Sequence, residues 1–182
     1  MCTGVRFADA AGNLYFGRNL DWCESYGEGV VITPRGASIP TQFLGSLSPE
    51  HACVGMGIVV GGVPCYFDCA NEAGLAIAGL NFPGYAQFAE APEEGAVNVA
   101  AYEFPLWVAA SFSTVAEVRE ALKGVVIVAK APSEGYGVAQ LHWLVGDGKE
   151  SIVIECQADG MHVYDDGLDV LTNQPPFPWH TE

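Results

Sequence analysis

The sequence predicts an α+β fold in which packed β-sheets carry helices on an outer face. Short runs of alternating hydrophobicity, separated by glycine, aspartate and asparagine, are typical of antiparallel strands. Two stretches with apolar residues at helical spacing lie between these strands. With 182 residues, half of them hydrophobic, the chain is long enough to bury one core, so we treat residues 1–182 as one domain.

Six strands are predicted in the first part of the chain, with tight turns between several of them. Turns are expected at Asp9–Asn13, Gly61–Gly62 and Asn71–Gly74, because aspartate, asparagine and glycine favour turn backbone. The predicted strands are Thr3–Ala8, Leu14–Asn19, Gly29–Thr33, Ala52–Val60, Val63–Cys69 and Leu75–Asn81.

A helical section is predicted next. Asn98–Ala110 has apolar residues at helical spacing, although Pro105 must kink or restart a helix there. Thr114-Val115-Ala116-Glu117 is a capping box and Gly124 a suitable stop, so Val115–Lys123 is predicted to be a second helix. Strands resume at Val125–Ala129, Gln140–Val145, Ser151–Cys156, Met161–Tyr164 and Asp169–Leu171.

Composition excludes several classes of function. With 22 acidic residues against 7 basic ones the net charge is -15, which argues against nucleic-acid binding because no basic patch can form. We expect no membrane segment, since no apolar run is long enough to cross a bilayer. The six cysteines show no disulfide framework and the four histidines no metal-ligand spacing. These patterns predict a reduced, cytoplasmic protein without a metal.

Cys2 is the most informative candidate for catalysis. If Met1 is removed, one residue carries both a thiol nucleophile and a free α-amino group that can act as its base. The ordinary pKa values of an α-amine, about 8, and of a thiol, about 8.5, lie close together, so proton transfer between them is nearly balanced. The alternative is that Cys2 is a small buried hydrophobic residue.

The first predicted hairpin places Arg18 and Asp21 near Cys2. If its turn centres near Ala10–Ala11, residue 2 lies opposite residue 19 or thereabouts. A nearby cation favours a thiolate, and a carboxylate can orient an amine by hydrogen bonding. Because side chains alternate along a strand, both residues reach Cys2 only if the strand bulges or ends near Asn19–Leu20.

Two asparagines stand at the ends of predicted strands. The amides of Asn81 and Asn173 are placed to donate hydrogen bonds to a developing oxyanion, or simply to cap their strands. Asn71, by contrast, is explained by its turn. A conventional cysteine–histidine pair with His142 is the less favoured arrangement, because His142 falls in a predicted core strand.

Five segments together resemble the choloylglycine hydrolases, in particular the bile salt hydrolases of gut bacteria. The segments are Met1-Cys2-Thr3-Gly4, Phe16-Gly17-Arg18-Asn19-Leu20-Asp21, Asn71-Glu72-Ala73-Gly74-Leu75, Ala78-Gly79-Leu80-Asn81-Phe82-Pro83 and Leu171-Thr172-Asn173-Gln174-Pro175. The resemblance implies the four-layer αββα sandwich of N-terminal nucleophile hydrolases, incomplete in this chain. It also implies cleavage of the amide between a bile acid and glycine or taurine through an acyl thioester, without a cofactor. Conjugated bile acids would be the partners, and the protein a homo-oligomer, commonly a tetramer.

The same resemblance assigns roles to individual residues. Cys2 corresponds to the nucleophile, with its own amine as base, and Arg18 to the arginine beside the thiol. Asp21 corresponds to the carboxylate that holds the amine. Asn173 matches the side-chain oxyanion donor, and the backbone amide of Asn81 the second donor. The apolar slot for the steroid is expected to be walled by Leu20, Trp22, Tyr26 and Phe67.

Two other functions stay open. The first is a penicillin V acylase, or another N-acyl amide acylase, of the same family. The second is an inactive truncated fragment or pseudoenzyme that acts only as a binding or assembly partner. It is raised because members of the family extend well beyond the Asn173 segment and supply a second active-site arginine, whereas no arginine here follows Arg119. The strands absent from this chain should leave exposed apolar faces.

Overall fold

A computed structural model describes residues 1–181 as one αβ structure built around a large antiparallel sheet. The strands before the first helix are β1 (Thr3–Ala8), β2 (Leu14–Asn19), β3 (Gly29–Thr33), β4 (Ile39–Thr41), β5 (Gly45–Leu47), β6 (Cys53–Val60), β7 (Val63–Asn71), β8 (Ala76–Asn81) and β9 (Val97–Ala100). The remaining elements are α1 (Phe104–Ser111), α2 (Val115–Leu122), β10 (Val125–Val128), β11 (Leu141–Gly146), β12 (Ser151–Gln157), β13 (Gly160–Asp165), β14 (Val170–Thr172) and a 3-10 turn at Phe177–His180.

The elements form three layers. The central layer is a seven-stranded sheet in the order β13-β12-β11-β8-β7-β6-β3, and a three-stranded sheet, β14-β1-β2, covers part of one face. Helix α1 packs on the opposite face against β7 and β8. Side chains alternate between the faces with the period of two expected for strands. Those on the helix side include Ile77, Trp143 and Ile154, and those between the sheets include Ala78, Leu144 and Val153.

The predicted fold class is therefore confirmed. Layers of helix, large sheet and small sheet follow one another as in the predicted sandwich, while a second helical layer is not formed by residues 1–181. Beyond the small sheet, the same face of β3 and β6 is open. There the cross-strand pairs Val30–Met56 and Ile32–Val54 are exposed, with Val30 71% accessible. No helix among these residues has the length and hydropathy to cross a membrane.

The predicted helix over Asn98–Ala110 is wrong in its first part. Val97–Ala100 is strand β9, which pairs in parallel with β10, and α1 begins only at Phe104. Pro105 lies in the first turn of α1, where its missing N–H costs nothing. The short hairpin of β4 and β5 was not predicted, because three-residue strands carry too little periodic signal.

Gly4 brings the small sheet close to the large one. A Cβ atom at Gly4 would lie 3.1 Å from Leu144 Cδ2 and 3.6 Å from Leu80 Cδ1, so β1 rests directly on these two leucines. Cys2, which immediately precedes β1, is only 2% exposed. The sheet contact thus buries Cys2, whereas Met1 before it is exposed.

Candidate active site

The strand order brings Cys2 between the ends of two neighbouring strands. β1 pairs with both β2 and β14, and Thr3 stands opposite Asn19 on one side and Thr172 on the other. The predicted hairpin register is correct to within one residue. β2 ends at Asn19, so the residues that follow are not paired in the sheet. This strand end is what the sequence required for Arg18 and Asp21 both to approach Cys2.

Asn173 connects Cys2 to the end of β8. The Cys2 backbone nitrogen donates to Asn173 Oδ1 at 2.5 Å, and Asn173 Nδ2 donates to the Asn81 carbonyl oxygen at 2.8 Å. Both ends of the 8% exposed carboxamide are therefore used within the protein. To donate to an oxyanion, Asn173 Nδ2 has to exchange its bond to Asn81 for one to the substrate.

Arg18 is a buried cation beside Cys2. Its side chain is 6% exposed, its Nη2 donates to the Gly79 carbonyl oxygen at 2.8 Å, and its Nη1 lies 3.8 Å from Asp68 Oδ2. Nε is buried and has no hydrogen-bond partner among the described residues. Burial lowers the pKa of Arg18, whereas the neighbouring Cys2 and Asp68 act to raise it. The guanidinium is thus held in place with donor capacity to spare.

A β-bulge turns two consecutive side chains toward this site. Met56 pairs with Asp68 but the next residue, Gly57, pairs with Tyr66, so Phe67 is an extra residue in β7. Such a bulge re-aims side chains next to it. Phe67 lines the cavity at Cys2, and Asp68 meets Arg18. Burial raises the pKa of Asp68, with Arg18 opposing that shift, so its carboxylate depends on the arginine.

Asp21 contacts Met1 and not Cys2, whose amine was its predicted partner. Its carboxylate pairs with the terminal amine of Met1, and both groups are exposed. Asp21 does not line the cavity. The Asp21 carboxylate does lie beside an N-terminal amine. If Met1 were removed, the new N-terminal amine, that of Cys2, would be the one nearest to Asp21.

An apolar cavity of about 570 Å³ opens from Cys2. All four predicted wall residues line it, namely Leu20, Trp22, Tyr26 and Phe67, together with Arg18 and Asn81. Trp22 stacks on Tyr26 with ring centroids 6.5 Å apart, and Tyr26 meets Phe67 edge-on at 6.0 Å. Its volume lies within the range of small-molecule sites, about 300–1,000 Å³.

The other half of the cavity wall comes from a segment that the sequence did not predict to line it. The segment between β10 and β11 contributes several lining residues, which include Lys130, Pro132, Tyr136, Val138 and Gln140. This segment has no periodicity, so only its composition, aromatic and proline-containing between two strands, could have marked it as a binding loop.

Burial leaves the cysteines of the sheet core unreactive. It raises the pKa of Cys53 and Cys65 to about 11 and that of Cys156 to about 12. These thiols stay protonated at neutral pH, and thiols are weak nucleophiles. Among residues 1–181, no group of three histidine, cysteine, aspartate or glutamate side chains is arranged to hold a metal.

His142 does not form the alternative cysteine–histidine pair. The ring is fully buried, with Nδ1 2.9 Å from Glu155 Oε1 and Nε2 2.8 Å from the Thr172 carbonyl oxygen. Since both ring nitrogens are already engaged, neither is available to take a proton from a thiol.

A buried cysteine with a buried arginine beside it, inside a layered αβ fold, is typical of amide hydrolases that use an N-terminal nucleophile. The family model of linear amide C-N hydrolases, choloylglycine hydrolase family, matches residues 2–182. The chain belongs to this family.

Similar proteins come from several bacteria. The chain is 58% identical to a bile salt hydrolase/transferase of Bifidobacterium longum subsp. longum and 54% identical to a conjugated bile acid hydrolase of Lactobacillus gasseri. These matches cover 100% and 99% of this chain, and 57% of each relative. The chain therefore spans somewhat more than half the length of its relatives.

Solved structures agree with this placement. The C2A mutant of conjugated bile acid hydrolase from Clostridium perfringens superimposes with a TM-score of 0.95 at 38% identity, over 100% of this chain and 56% of that one. Penicillin V acylase from Agrobacterium tumefaciens gives a TM-score of 0.77 at 20% identity, over 99% of this chain and 55% of that one. The second match shows a common fold only.

Proposed function

We propose that the full-length protein is a bile salt hydrolase, which cleaves the amide bond between a bile acid and glycine or taurine. The observation that carries the proposal is Cys2 buried beside Arg18 at an apolar, aromatic-walled cavity of about 570 Å³. Such a cavity suits a rigid steroid, and the thiol stands where the scissile carbonyl would arrive. Relatives at 54–58% identity are bile salt or conjugated bile acid hydrolases, which supports this substrate class.

The mechanism begins with removal of Met1. Only then does the α-amine belong to Cys2, where it can accept the proton from its own thiol. Asn173 Oδ1, already an acceptor for this nitrogen, would orient the new amine together with Asp21. Arg18 would favour the thiolate by its charge.

Acylation of the Cys2 thiol then follows. The Cys2 sulfur forms a bond to the amide carbon, and the carbonyl π-electrons move to oxygen, where Asn173 and the backbone of Asn81 stabilise the oxyanion. When the carbon–nitrogen bond breaks, the protonated amine of Cys2 gives its proton to the leaving glycine or taurine nitrogen. Water activated by the same amine hydrolyses the bile-acyl thioester, which frees the bile acid and regenerates the thiol.

Two wider properties belong to the same proposal. We expect the full-length protein to act in the cytoplasm of a gut bacterium and to assemble as a homotetramer. Light scattering on the purified protein measures the mass of the assembly, and a monomer would contradict this part of the proposal.

The test compares turnover of glycocholate, taurocholate and penicillin V by the full-length protein, with intact-mass measurement of the chain start. We expect the two conjugates to be hydrolysed and Met1 to be absent. Cys2→Ser should lower kcat by about 100-fold or more, whereas the exposed Cys23→Ser should leave it unchanged. Preference for penicillin V would assign the protein to the acylases. A processed Cys2 without turnover would favour a protein that only binds.

A further inference from the structure

A buried histidine–glutamate pair lies between the two sheets, outside the catalytic machinery described above. His142 of β11 and Glu155 of β12 are both 0% exposed, and His142 Nδ1 lies 2.9 Å from Glu155 Oε1. Taking two such groups out of water costs several kcal/mol each, and well-packed apolar residues are often as stable. The pair is therefore poorly explained by stability alone.

The hydrogen-bond partners of His142 and Glu155 bear on where the protons of the pair lie. The Thr172 carbonyl oxygen can only accept, so His142 Nε2, 2.8 Å away, carries a proton. Both carboxylate oxygens of Glu155 already accept from amide nitrogens, Oε1 from the Phe177 N–H and Oε2 from Gln157 Nε2, each at 3.0 Å. Hydrogen bonds to the charged form favour it, so these contacts suit an imidazolium paired with a carboxylate.

The His142–Glu155 pair contacts the two segments that carry Asn173 and Asn81. On one side, His142 binds the carbonyl of Thr172, the residue before Asn173. On the other side, its ring stacks on Phe82, the residue after Asn81, with centroids 4.3 Å apart and planes 7° from parallel. One side chain thus contacts the segments on both sides of the Asn173–Asn81 hydrogen bond, through the backbone at Thr172 and through the ring at Phe82.

Glu155 extends the same support. By accepting from the Phe177 N–H, it anchors the chain four residues beyond Asn173. The Asn173 segment is therefore held before and after the functional amide, by His142 at Thr172 and by Glu155 at Phe177. Such bonds limit the movement of a catalytic side chain, whose misplacement by about 1 Å can cost roughly 100-fold in rate.

We propose that the ionised His142–Glu155 pair is a positioning clamp, which holds Asn173 and Asn81 in register with Cys2. The inference rests on the proposed function, because it takes the two asparagines as the oxyanion donors. His142 and Glu155 touch no substrate and act only through the segments they hold.

The experiment uses Glu155→Gln in the full-length protein, a nearly isosteric change that removes the carboxylate charge. The matched control is Asp159→Asn, which alters a histidine–aspartate pair of 2.8 Å whose carboxylate is 75% exposed. In proton NMR of histidine-labelled protein, wild type and control should show two slowly exchanging imidazole N–H signals from His142, and Glu155→Gln only one. For glycocholate, kcat of Glu155→Gln should fall by about 10- to 100-fold with KM within about threefold, and the control should match wild type.

Each result decides the proposal. A folded Glu155→Gln with wild-type kcat would overturn the clamp, as would a wild-type spectrum with one N–H signal from His142. If Glu155→Gln does not fold, two other measurements decide. One is the wild-type spectrum, and the other is kcat of His142→Gln, which loses the stack on Phe82 and should also be lowered. If wild type hydrolyses no conjugate, the proposed function fails, and the N–H signals still show whether the pair is ionised.

Discussion

The backbone nitrogen of Cys2 donates to the side-chain oxygen of Asn173, a residue 171 positions later in the chain, at 2.5 Å. This contact exists because β1 lies between β2 and β14, which places the first and last strands of the described chain side by side. The two residues therefore depend on each other, since a change at Asn173 alters the surroundings of the nitrogen that the proposed mechanism uses as its base.

Asn173→Ala should abolish both hydrogen bonds made by this side chain and leave the Cys2 nitrogen and the Asn81 carbonyl without these partners. We expect kcat for glycocholate to fall by about 100- to 1,000-fold, with a much smaller change in KM. Asn13→Ala, at an exposed hairpin position, is the control and should leave kinetics unchanged. Steady-state kinetics measure both effects, and a variant that loses affinity but keeps kcat would contradict the role of Asn173 in the transition state.

Trp22→Ala should weaken binding of the steroid, because the indole forms part of the cavity wall and stacks on Tyr26. We expect KM for conjugated bile acids to rise by about tenfold, in line with the loss of a large apolar contact. Trp179 is the matched control, since it is 65% exposed and does not line the cavity. Equal KM values for Trp22→Ala and Trp179→Ala would exclude a steroid contact at Trp22.

Gly57→Ala should destabilise the protein at the bulge. An added Cβ would lie 2.5 Å from the Cys65 carbonyl oxygen, a backbone atom that cannot move aside. We expect a loss of about 1–3 kcal/mol in the free energy of unfolding. At Gly124 a Cβ would meet open space, so Gly124→Ala should differ from wild type by about 0.5 kcal/mol or less. Urea unfolding of both variants provides the comparison, and equal stabilities would refute the steric argument.

Glu103→Gln should change the dependence of stability on pH. Glu103 is 2% exposed, its Oε1 accepts from the Gln42 N–H at 2.8 Å, and burial raises the pKa of its carboxyl group. Because the folded protein then binds the proton more tightly, this contribution to stability is complete below the unfolded pKa, about 4.3. It is lost as pH rises through the folded pKa.

A glutamine at position 103 has no carboxyl group and so does not take up or release this proton. The stability of Glu103→Gln relative to wild type should therefore increase as pH rises above about 4.3, the unfolded pKa. Urea unfolding at several pH values measures the difference. A relative stability that stays constant with pH would mean that Glu103 titrates alike in the folded and unfolded chain.

Local sequence signals were sufficient for the first hairpin. The bounds of β1 and β2 agree with prediction, because alternating residues and an aspartate–asparagine turn determine both strands and their register. That register is what places Arg18 beside Cys2. The four predicted wall residues also reach the cavity, although this followed from family resemblance and not from any residue pattern.

Contacts between distant segments could not be predicted in the same way. The sequence Val97–Ala100 adopts a strand because β10 is available as a parallel partner, and nothing within the segment itself shows that partner. The bulge at Phe67 depends on the pairing of β6 with β7, and the His142–Glu155 pair on the register of β11 with β12. Each of these features shapes the site through the tertiary fold.

The close approach at Gly4 gives a means of altering reaction geometry from outside the cavity. Since β1 rests on Leu80 and Leu144, neither of which lines the cavity, the size of these leucines sets the height of the sulfur atom above the large sheet. Smaller or larger aliphatic residues there should therefore shift Cys2 along the sheet normal without replacing any residue that lines the cavity.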